Sequence, residues 1–487
     1  MTAAPPPEPL FDQAPIVPPG ARPADPLIHD ASPGALRQRS VNFIAKRMTD
    51  MMFVSGLDEA TARAHLRPRA ATVPAGLAAR PAPDGGLQAA LDAAAAEGRL
   101  SIAADPAHRS VTARWEDAAF GPPVSGTAIA PPGWGGVLLG PHAAPRFEPT
   151  PIARAAGTPG ADWPAGDAVA TSRPNPALAG AADALFAACP GLYGVLAATP
   201  ERIFFERYSR FGAPDRATPS WSMTKAITAT QIGRLIHEGW IGSVQDPAAA
   251  PLWTDPRGIH RLITYEHLLR MRSGLAMPVL GTDGQVRLGF ENSAVYQDAA
   301  DAFETAQRSI VATAPGAVFR YVNSGINVLG AVLRTAIARR GHAYPAGLHA
   351  LLADRIGMRS YRQSADIFGN MIASGAGFAT LRDYAKLGVL YLRDGVWAGE
   401  RLLPAGWADW ALTPSHAGTS YAACFRSNAD GTFAELPRDV AWASGASDQR
   451  IFICRRAGVT VAVANETDHP VDLSALGRFV ATAMAAP

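Results

Sequence analysis

Cysteine and long hydrophobic runs are scarce in this chain, and each shortage argues against a class of protein. The three cysteines, Cys189, Cys424 and Cys454, are too few and too widely spaced for a disulfide framework or a thiolate metal site. No run approaches the ~18 apolar residues of a membrane span, and the N-terminus has no basic segment followed by an apolar one. We therefore expect no membrane span and a cytoplasmic location.

Excess charge is also lacking. The formal net charge is +2, and no basic stripe with interleaved aromatic residues is present, which argues against nucleic acid as a partner. The eleven histidines show no H-E-x-x-H pattern, and the sequence has no Walker or dinucleotide-binding glycine loop. With 487 residues, of which 48% are apolar, the chain is long enough for two or three domains and a sizeable core.

Composition and hydrophobic period divide the chain into three parts. Residues 1–35 are rich in Pro and Ala and show no hydrophobic period, which predicts a flexible arm. Residues 36–178 are predicted to form an N-terminal region with some strands and helices. Residues 179–487 are predicted to form the main domain.

The main domain begins and ends with strand patterns. Hairpins are predicted at 192–209 and 450–466, and a closing helix at 472–485. Between them, helical patterns occupy about 240–400 and include a helix at 263–275. Strands at both ends with helices between them predict an antiparallel sheet interrupted by a helical insertion.

The sequence PSWSMTKAIT places a rare lysine three residues after a serine. Only Lys46, Lys225 and Lys386 are lysine among the 44 basic residues, and lysine, unlike arginine, can lose its proton in a buried site. Ser222 and Lys225 stand at i and i+3 of a predicted helix start, so Lys225 can act as the base that activates the Ser222 hydroxyl. This role near pH 7 requires burial and the positive helix end to lower the pKa of Lys225 by about three units.

A purely structural interpretation of this pair stays open. An S-x-x-K sequence is common, and Ser222 or Ser220 could cap the helix while Lys225 is a solvated residue of its first turn. A cation in the first turn is mildly disfavoured by the helix dipole. That penalty favours the functional interpretation.

Two further segments contain groups that could complete such a site. In FRYVNSGINVLGAV, Tyr321 can relay a proton and Asn323 can hold a substrate amide or the lysine. In WASGASDQRIFI, the turn around Ser447 and Gln449 can present a second backbone donor to an oxyanion, with Gln449 the preferred position. Taken alone, Tyr321 is also consistent with a half-buried core residue, and the turn with an ordinary hairpin entry.

Together these segments resemble the serine β-lactamase and penicillin-binding-protein superfamily, whose first motif is S-x-x-K. Within it, the likeness is to the β-lactamase-related serine hydrolases, which include 6-aminohexanoate-dimer hydrolases, esterases and class C β-lactamases. The likeness spans about 180–485 and extends weakly to FVSGLDEA and WPAGD upstream. It implies an α+β fold, in which an α/β/α sandwich with an antiparallel sheet adjoins a mostly helical subdomain, with an N-terminal extension and no metal or organic cofactor.

The resemblance also assigns roles to residues. It implies that Ser222 is the acylated nucleophile, that Lys225 is its base, and that Tyr321 is the proton relay of the Y-x-N motif, with Asn323 as polar support. The site is expected in the cleft between the sandwich and the helical subdomain. The expected partner is a small ester or amide substrate.

The third motif departs from the family pattern. Where relatives have Lys-Thr-Gly, His-x-Gly or a Gly-Gly variant, this chain has Ala446-Ser447-Asp448. Without a cation at Ala446 to meet a substrate carboxylate, a neutral ester or amide is favoured. An amine attracted by Asp448 is a further possibility.

Three functions remain open at this point. The leading hypothesis is a serine hydrolase that forms an acyl-enzyme with small esters or amides. The second is a β-lactamase or D,D-peptidase, and the third is a non-catalytic binding module with the same fold. A Ser-His-Asp triad also stays open, although no G-x-S-x-G elbow precedes a helix.

Overall fold

The computed structural model describes residues 29–66, 85–152, 154, 162–166, 175–280, 285–289, 294–415, 419–465 and 469–487. Of the predicted arm, residues 1–28 lie outside the described residues, while Ser32 caps a helix that begins at Pro33. The predicted WPAGD segment is described only as far as Gly166.

Helices and strands are numbered along the described residues. The helices are α1 (Pro33–Thr49), α2 (Glu59–His65), α3 (Gly85–Ala96), α4 (Pro176–Ala188), α5 (Thr224–His237), α6 (Tyr265–Leu269), α7 (Ala294–Gln297), α8 (Ala302–Gln307), α9 (Asn323–Arg339), α10 (Tyr344–Leu351), α11 (Leu381–Leu392), α12 (Trp407–Leu412) and α13 (Leu473–Met484). The strands are β1 (His29–Asp30), β2 (Leu100–Asp105), β3 (Ser110–Trp115), β4 (Val124–Ile129), β5 (Val137–Gly140), β6 (Leu192–Ala198), β7 (Ile203–Tyr208), β8 (Thr218–Trp221), β9 (Leu275–Leu280), β10 (Val286–Gly289), β11 (Ile310–Val311), β12 (Arg362–Gln363), β13 (Gly377–Ala379), β14 (Val396–Trp397), β15 (Glu400–Arg401), β16 (Arg426–Ser427), β17 (Ala441–Ser444), β18 (Arg450–Cys454) and β19 (Val459–Asn465).

A six-stranded antiparallel sheet forms the centre of the main domain, in the order β16-β17-β18-β19-β6-β7. Both faces are buried, and successive residues of a strand face opposite sides. Val195 and Val461 pack into the core beneath α4 and α13, whereas Leu196 and Ala462 belong to the large core on the side of α11. The predicted hairpins are β6-β7 and β18-β19, and helices on both faces confirm the α+β sandwich.

The helix predicted at 263–275 is wrong in its second half. Helix α6 ends at Leu269, and strand β9 begins at Leu275, where it pairs with β10 and β11. Gly274 between them has a φ of +77°, and a Cβ there would lie 2.1 Å from the Thr313 carbonyl oxygen. Residues 270–274 therefore form a turn that leads into β9 rather than a continuation of the helix.

The N-terminal region is a four-stranded antiparallel sheet, β2-β3-β4-β5, crossed by helix α1. The two elements approach closely at Gly126, where a Cβ would lie 2.8 Å from the backbone of Asn42. The interface contains buried cores around Ile44, Trp115 and Ala128. Glycine thus permits α1 to lie directly on β4.

Helix α1 also joins this region to the main domain through buried polar contacts. The Lys46 ammonium donates to Asp50 Oδ2 at 2.6 Å and to Ser364 Oγ at 2.9 Å, and the Gly136 N–H donates to Asp50 Oδ1 at 3.0 Å. Both charged side chains are almost fully buried. The N-terminal region is therefore tied to the main domain by the hydrogen bond from the buried Lys46 ammonium to Ser364.

Two side chains of α1 contact the indole of Trp221 at the end of β8. The Phe43 ring lies 6.5 Å from it between centroids, and the Arg47 guanidinium carbon lies 5.3 Å from the indole centroid. Helix α1 consequently backs the strand that leads to Ser222. In the described ranges, no helix is long and apolar enough to cross a membrane, and no group of three or more metal-ligating side chains is present.

Candidate active site

Ser222 lies in the tight turn between β8 and α5. Trp221 before it has a φ of +45°, an uncommon backbone conformation for a bulky residue. The turn is held by Ser220, whose hydroxyl contacts the Thr224 hydroxyl at 2.6 Å and donates to the Gly377 carbonyl at 3.0 Å. The strand-to-helix turn thereby directs Ser222 into a cleft rather than along the helix surface.

Lys225 is one turn along α5 and faces Ser222. Its ammonium donates to Ser222 Oγ at 3.0 Å and to the Ser374 carbonyl at 2.5 Å. Only 1% of the residue is exposed. The solvated first-turn interpretation is therefore wrong, since this lysine is buried against the serine.

The electrostatic environment of Lys225 differs from the expected one. Burial lowers its pKa, but the neighbouring side chains of Tyr321, Tyr296 and Cys424 together raise it by more, so the net pKa lies above the ordinary value. The expectation of a lowered pKa is thus wrong. The neighbouring tyrosines thus stabilise the charged form of Lys225.

Tyr321 lies on the other side of this lysine, two residues before α9. The Lys225 nitrogen is 4.9 Å from the centroid of the Tyr321 ring, and the ring packs edge-on against Tyr421 with centroids 5.8 Å apart. Asn323, the first residue of α9, is buried behind Tyr321. The structure thus places Ser222, Lys225 and Tyr321 around the same cleft.

The cleft that these three residues line has a volume of about 290 Å³. The other lining residues come from two later segments of the chain: Tyr421, Cys424, Arg426, Ser444, Gly445 and Ala446. None of these lining residues is a carboxylate. The cleft is therefore positively charged, since Lys225 and Arg426 both face it.

The third sequence segment approaches the nucleophile through β17. A Cβ on Gly445 would lie 2.1 Å from the Ser220 carbonyl oxygen, so this strand end lies directly against the turn that carries Ser222. Ser444, Gly445 and Ala446 line the cleft, whereas Ser447 and Gln449 are not among the lining residues. The Gln449 side chain is fully buried, and its amide donates to the Asn465 carbonyl at 2.5 Å.

The neighbouring Asp448 does not face the cleft as a lone charge. It forms an ion pair with Arg450 and accepts a hydrogen bond from the Val471 N–H at 3.1 Å. Ser447 and Asp448 both have a φ near +60°. Neither Ser447 nor Asp448 is among the residues that line the cleft. The Asp448 carboxylate is instead engaged by groups within the protein.

Three cleft residues, Tyr421, Cys424 and Arg426, were not predicted from the sequence. Burial raises the pKa of the Cys424 thiol to about 12, so this cysteine is protonated at neutral pH and is not a nucleophile. Tyr421 is buried, and the Arg426 guanidinium carbon lies 5.7 Å from its ring centroid. The sequence has no cation at Ala446, and the structure brings one to the cleft from Arg426, on a different segment.

The family model described as beta-lactamase matches residues 212–483. No match was found among curated proteins. Because the matched segment exceeds half of the chain, it is sufficient to assign the family.

Solved structures are similar to this chain in fold. A Bacillus anthracis protein assigned as a 6-aminohexanoate-dimer hydrolase aligns with 17% identity over 62% of this chain and 80% of its own, with a TM-score of 0.50. A penicillin-binding-protein homologue from Caulobacter crescentus aligns with 17% identity over 65% and 98% of the two chains, with a TM-score of 0.49. A family VIII carboxylesterase aligns with 17% identity over 63% and 97%, with a TM-score of 0.47. By its sequence match and its sandwich fold, the chain belongs to the beta-lactamase family.

Proposed function

We propose that this protein is a serine hydrolase that cleaves small esters or amides through an acyl-enzyme on Ser222. The observation that carries the proposal is the 3.0 Å contact between the buried Lys225 ammonium and Ser222 Oγ. A serine hydroxyl requires an adjacent proton acceptor to become nucleophilic. The Lys225–Tyr321 pair supplies this acceptor within a cleft large enough for a small substrate.

In this mechanism the pair, rather than Lys225 alone, acts as the base. Lys225 and Tyr321 lie side by side in the cleft, so either group can hold the proton taken from Ser222. The Ser222 oxygen attacks the substrate carbonyl carbon while its proton passes to this pair. The same proton then moves to the departing alcohol or amine, and a water molecule hydrolyses the acyl-enzyme by the reverse route.

The oxyanion of the tetrahedral intermediate needs two hydrogen-bond donors. We assign these to the backbone N–H groups of Ser222, in the turn before α5, and of Ala446, two residues after the end of β17. Both residues line the cleft. We prefer Ala446 to Gln449, the position preferred from the sequence, because Ala446 lines the cleft and Gln449 does not.

The test is labelling and turnover by matched variants. The wild-type protein should react with a fluorophosphonate probe and hydrolyse 4-nitrophenyl acetate with acyl-enzyme accumulation. Ser222→Ala should abolish both, while Ser447→Ala, outside the cleft lining, should retain both. Full activity in Ser222→Ala would remove the nucleophile assignment, and a wild-type protein inert to probe and ester would favour a binding module.

A β-lactamase or D,D-peptidase is the second candidate. The observation that favours it is Arg426, which places a cation in the cleft where a substrate carboxylate could bind. Hydrolysis of nitrocefin, or stable labelling by fluorescent penicillin, at a rate that exceeds ester hydrolysis would select this candidate.

A further inference from the structure

Arg426 has a position and a chemistry that the proposed mechanism does not use. It lies in the short strand β16, whose backbone pairs with Trp442 of β17 and forms a bridge to Tyr421. Strand β17 ends at the residues that form one lip of the cleft. Strand pairing therefore fixes the backbone of Arg426 relative to Ser444, Gly445 and Ala446, which line the cleft.

Arg426 lines the cleft beside an aromatic surface. Its guanidinium carbon lies 5.7 Å from the Tyr421 ring, and that ring in turn packs against Phe319 with centroids 5.2 Å apart. Phe319 is 41% exposed, which is unusual for a phenylalanine. The rim near Arg426 thus offers an apolar surface next to a cation.

Among the described residues, no carboxylate lies within ion-pair distance of Arg426. The neighbouring arginine is different, because Arg450 is paired with Asp448. The lining residues carry two cations, Lys225 and Arg426, and no anion. Lys225 is engaged by Ser222 and the Ser374 carbonyl, which leaves Arg426 as the cation available to a ligand.

We propose that Arg426 is a specificity-determining residue that binds a carboxylate of the substrate, so that the preferred substrates are monoanionic esters or amides. A planar guanidinium donates two parallel hydrogen bonds to a carboxylate, a geometry that a lysine does not match. A positively charged cleft also raises the local concentration of anionic substrates. This inference rests on the proposed hydrolase function and reverses the substrate preference expected from Ala446.

The kinetic test compares esters that differ in one charge. The acyl-side pair is mono-4-nitrophenyl glutarate and 4-nitrophenyl pentanoate, and the leaving-group pair is 4-acetoxybenzoate and its methyl ester. We expect the wild-type protein to prefer the anionic member of one pair, and the preferred pair identifies which side of the scissile bond faces Arg426. Arg426→Gln should lower the ratio of anionic to neutral kcat/KM roughly 10- to 100-fold, mainly through KM.

Two controls separate recognition from structure and from bulk charge. Arg426→Lys keeps the positive charge but loses the planar guanidinium that donates two parallel hydrogen bonds. It should therefore retain only part of the preference for the anionic ester. Arg438→Gln removes an exposed positive charge outside the cleft lining and should leave the ratio unchanged. Equal losses on anionic and neutral esters in Arg426→Gln, or no change in the ratio, would overturn the proposal.

A binding measurement keeps this inference distinct from the hydrolase proposal. In the Ser222→Ala background, monomethyl glutarate should raise the melting temperature, whereas dimethyl glutarate at the same concentration should not. The additional change Arg426→Gln should abolish the shift. If Arg426→Gln abolishes the increase in melting temperature, the carboxylate site is supported even if Ser222 proves not to be the nucleophile. Equal increases with monomethyl and dimethyl glutarate would contradict the carboxylate site.

Discussion

Lys225 shows how neighbouring side chains decide the protonation of a buried amine. Burial alone would favour the neutral form, but the nearby side chains of Tyr321 and Tyr296 favour the charged form and contribute to a net pKa above the ordinary value. An arginine would keep the charge but could not return a proton to the site. The scarcity of lysine in the chain is consistent with a specific demand at this position.

The first prediction concerns the pKa of Lys225. Selective ¹³C labelling of lysine gives only three signals, from Lys46, Lys225 and Lys386. We expect the Lys225 signal to titrate above the ordinary value of about 10.4. Tyr321→Phe removes a group that raises this pKa, so the Lys225 midpoint should fall relative to the wild-type protein. The three Lys→Arg variants assign the signals, and a wild-type midpoint near 7 would restore the neutral-amine mechanism.

The sequence predicted the Ser222–Lys225 pair, which is local in the chain, but did not predict the cleft residues that are distant in the chain. Ser222 and Lys225 are one helical turn apart, so their contact follows from helix geometry. Arg426 and Tyr421 reach the same cleft through a chain separation of about 200 residues. Their position depends on the sheet order, which puts the edge strand β16 beside β17, and no local pattern carries that information.

Among the helices, α11 shows how closely the layers of the sandwich approach each other. Gly388 faces the sheet, and a Cβ there would lie 2.0 Å from Thr460 Oγ1. Thr460 is fully buried, and its hydroxyl donates to the Phe452 carbonyl at 2.8 Å. A glycine in mid-helix, which costs helix stability, is explained here by packing.

The second prediction compares two helical glycines. Gly388→Ala should lower the free energy of unfolding by about 1–3 kcal/mol, because the methyl group overlaps with Thr460. A Cβ on Gly180 in α4 would have no atom within 4 Å, so Gly180→Ala should raise the free energy of unfolding by about 0.5–1 kcal/mol through helix propensity. Urea denaturation followed by circular dichroism measures both. Similar effects of the two changes would mean that α11 is not held against the sheet.

Element types were predicted best where the pattern is long. The hairpins β6-β7 and β18-β19 and the helix α13 occur where alternation or helical period is sustained. The error at 263–275 arose where a five-residue helix, α6, is followed by a turn and then by the apolar strand β9. A short apolar run does not distinguish these two states.

Over the whole molecule, the N-terminal region and the main domain share buried polar contacts. The Lys46–Asp50 pair also engages Ser364, and Arg154 pairs with Asp354 at 2.8 Å. Breaking one partner of a buried ion pair leaves an uncompensated charge, whereas an exposed pair contributes little. The two parts should therefore unfold as one cooperative unit.

The third prediction tests this coupling with two i,i+4 ion pairs. Lys46→Met should destabilise the protein by about 3–5 kcal/mol, because Asp50 is left buried. Arg308→Met, which breaks the half-exposed pair with Glu304, should cost about 0–1 kcal/mol. Calorimetry should show a single transition that moves to lower temperature in Lys46→Met. Two separate transitions, of which only one responds, would show that the regions unfold independently.

The contact of Phe43 and Arg47 with Trp221 has a consequence for how this chain can evolve. The residue before the nucleophile is supported by a helix that precedes the matched family segment by about 170 positions. Transfer of the matched family segment alone into another gene would remove the contacts that α1 makes with the residue before Ser222. The two segments therefore have to be inherited together.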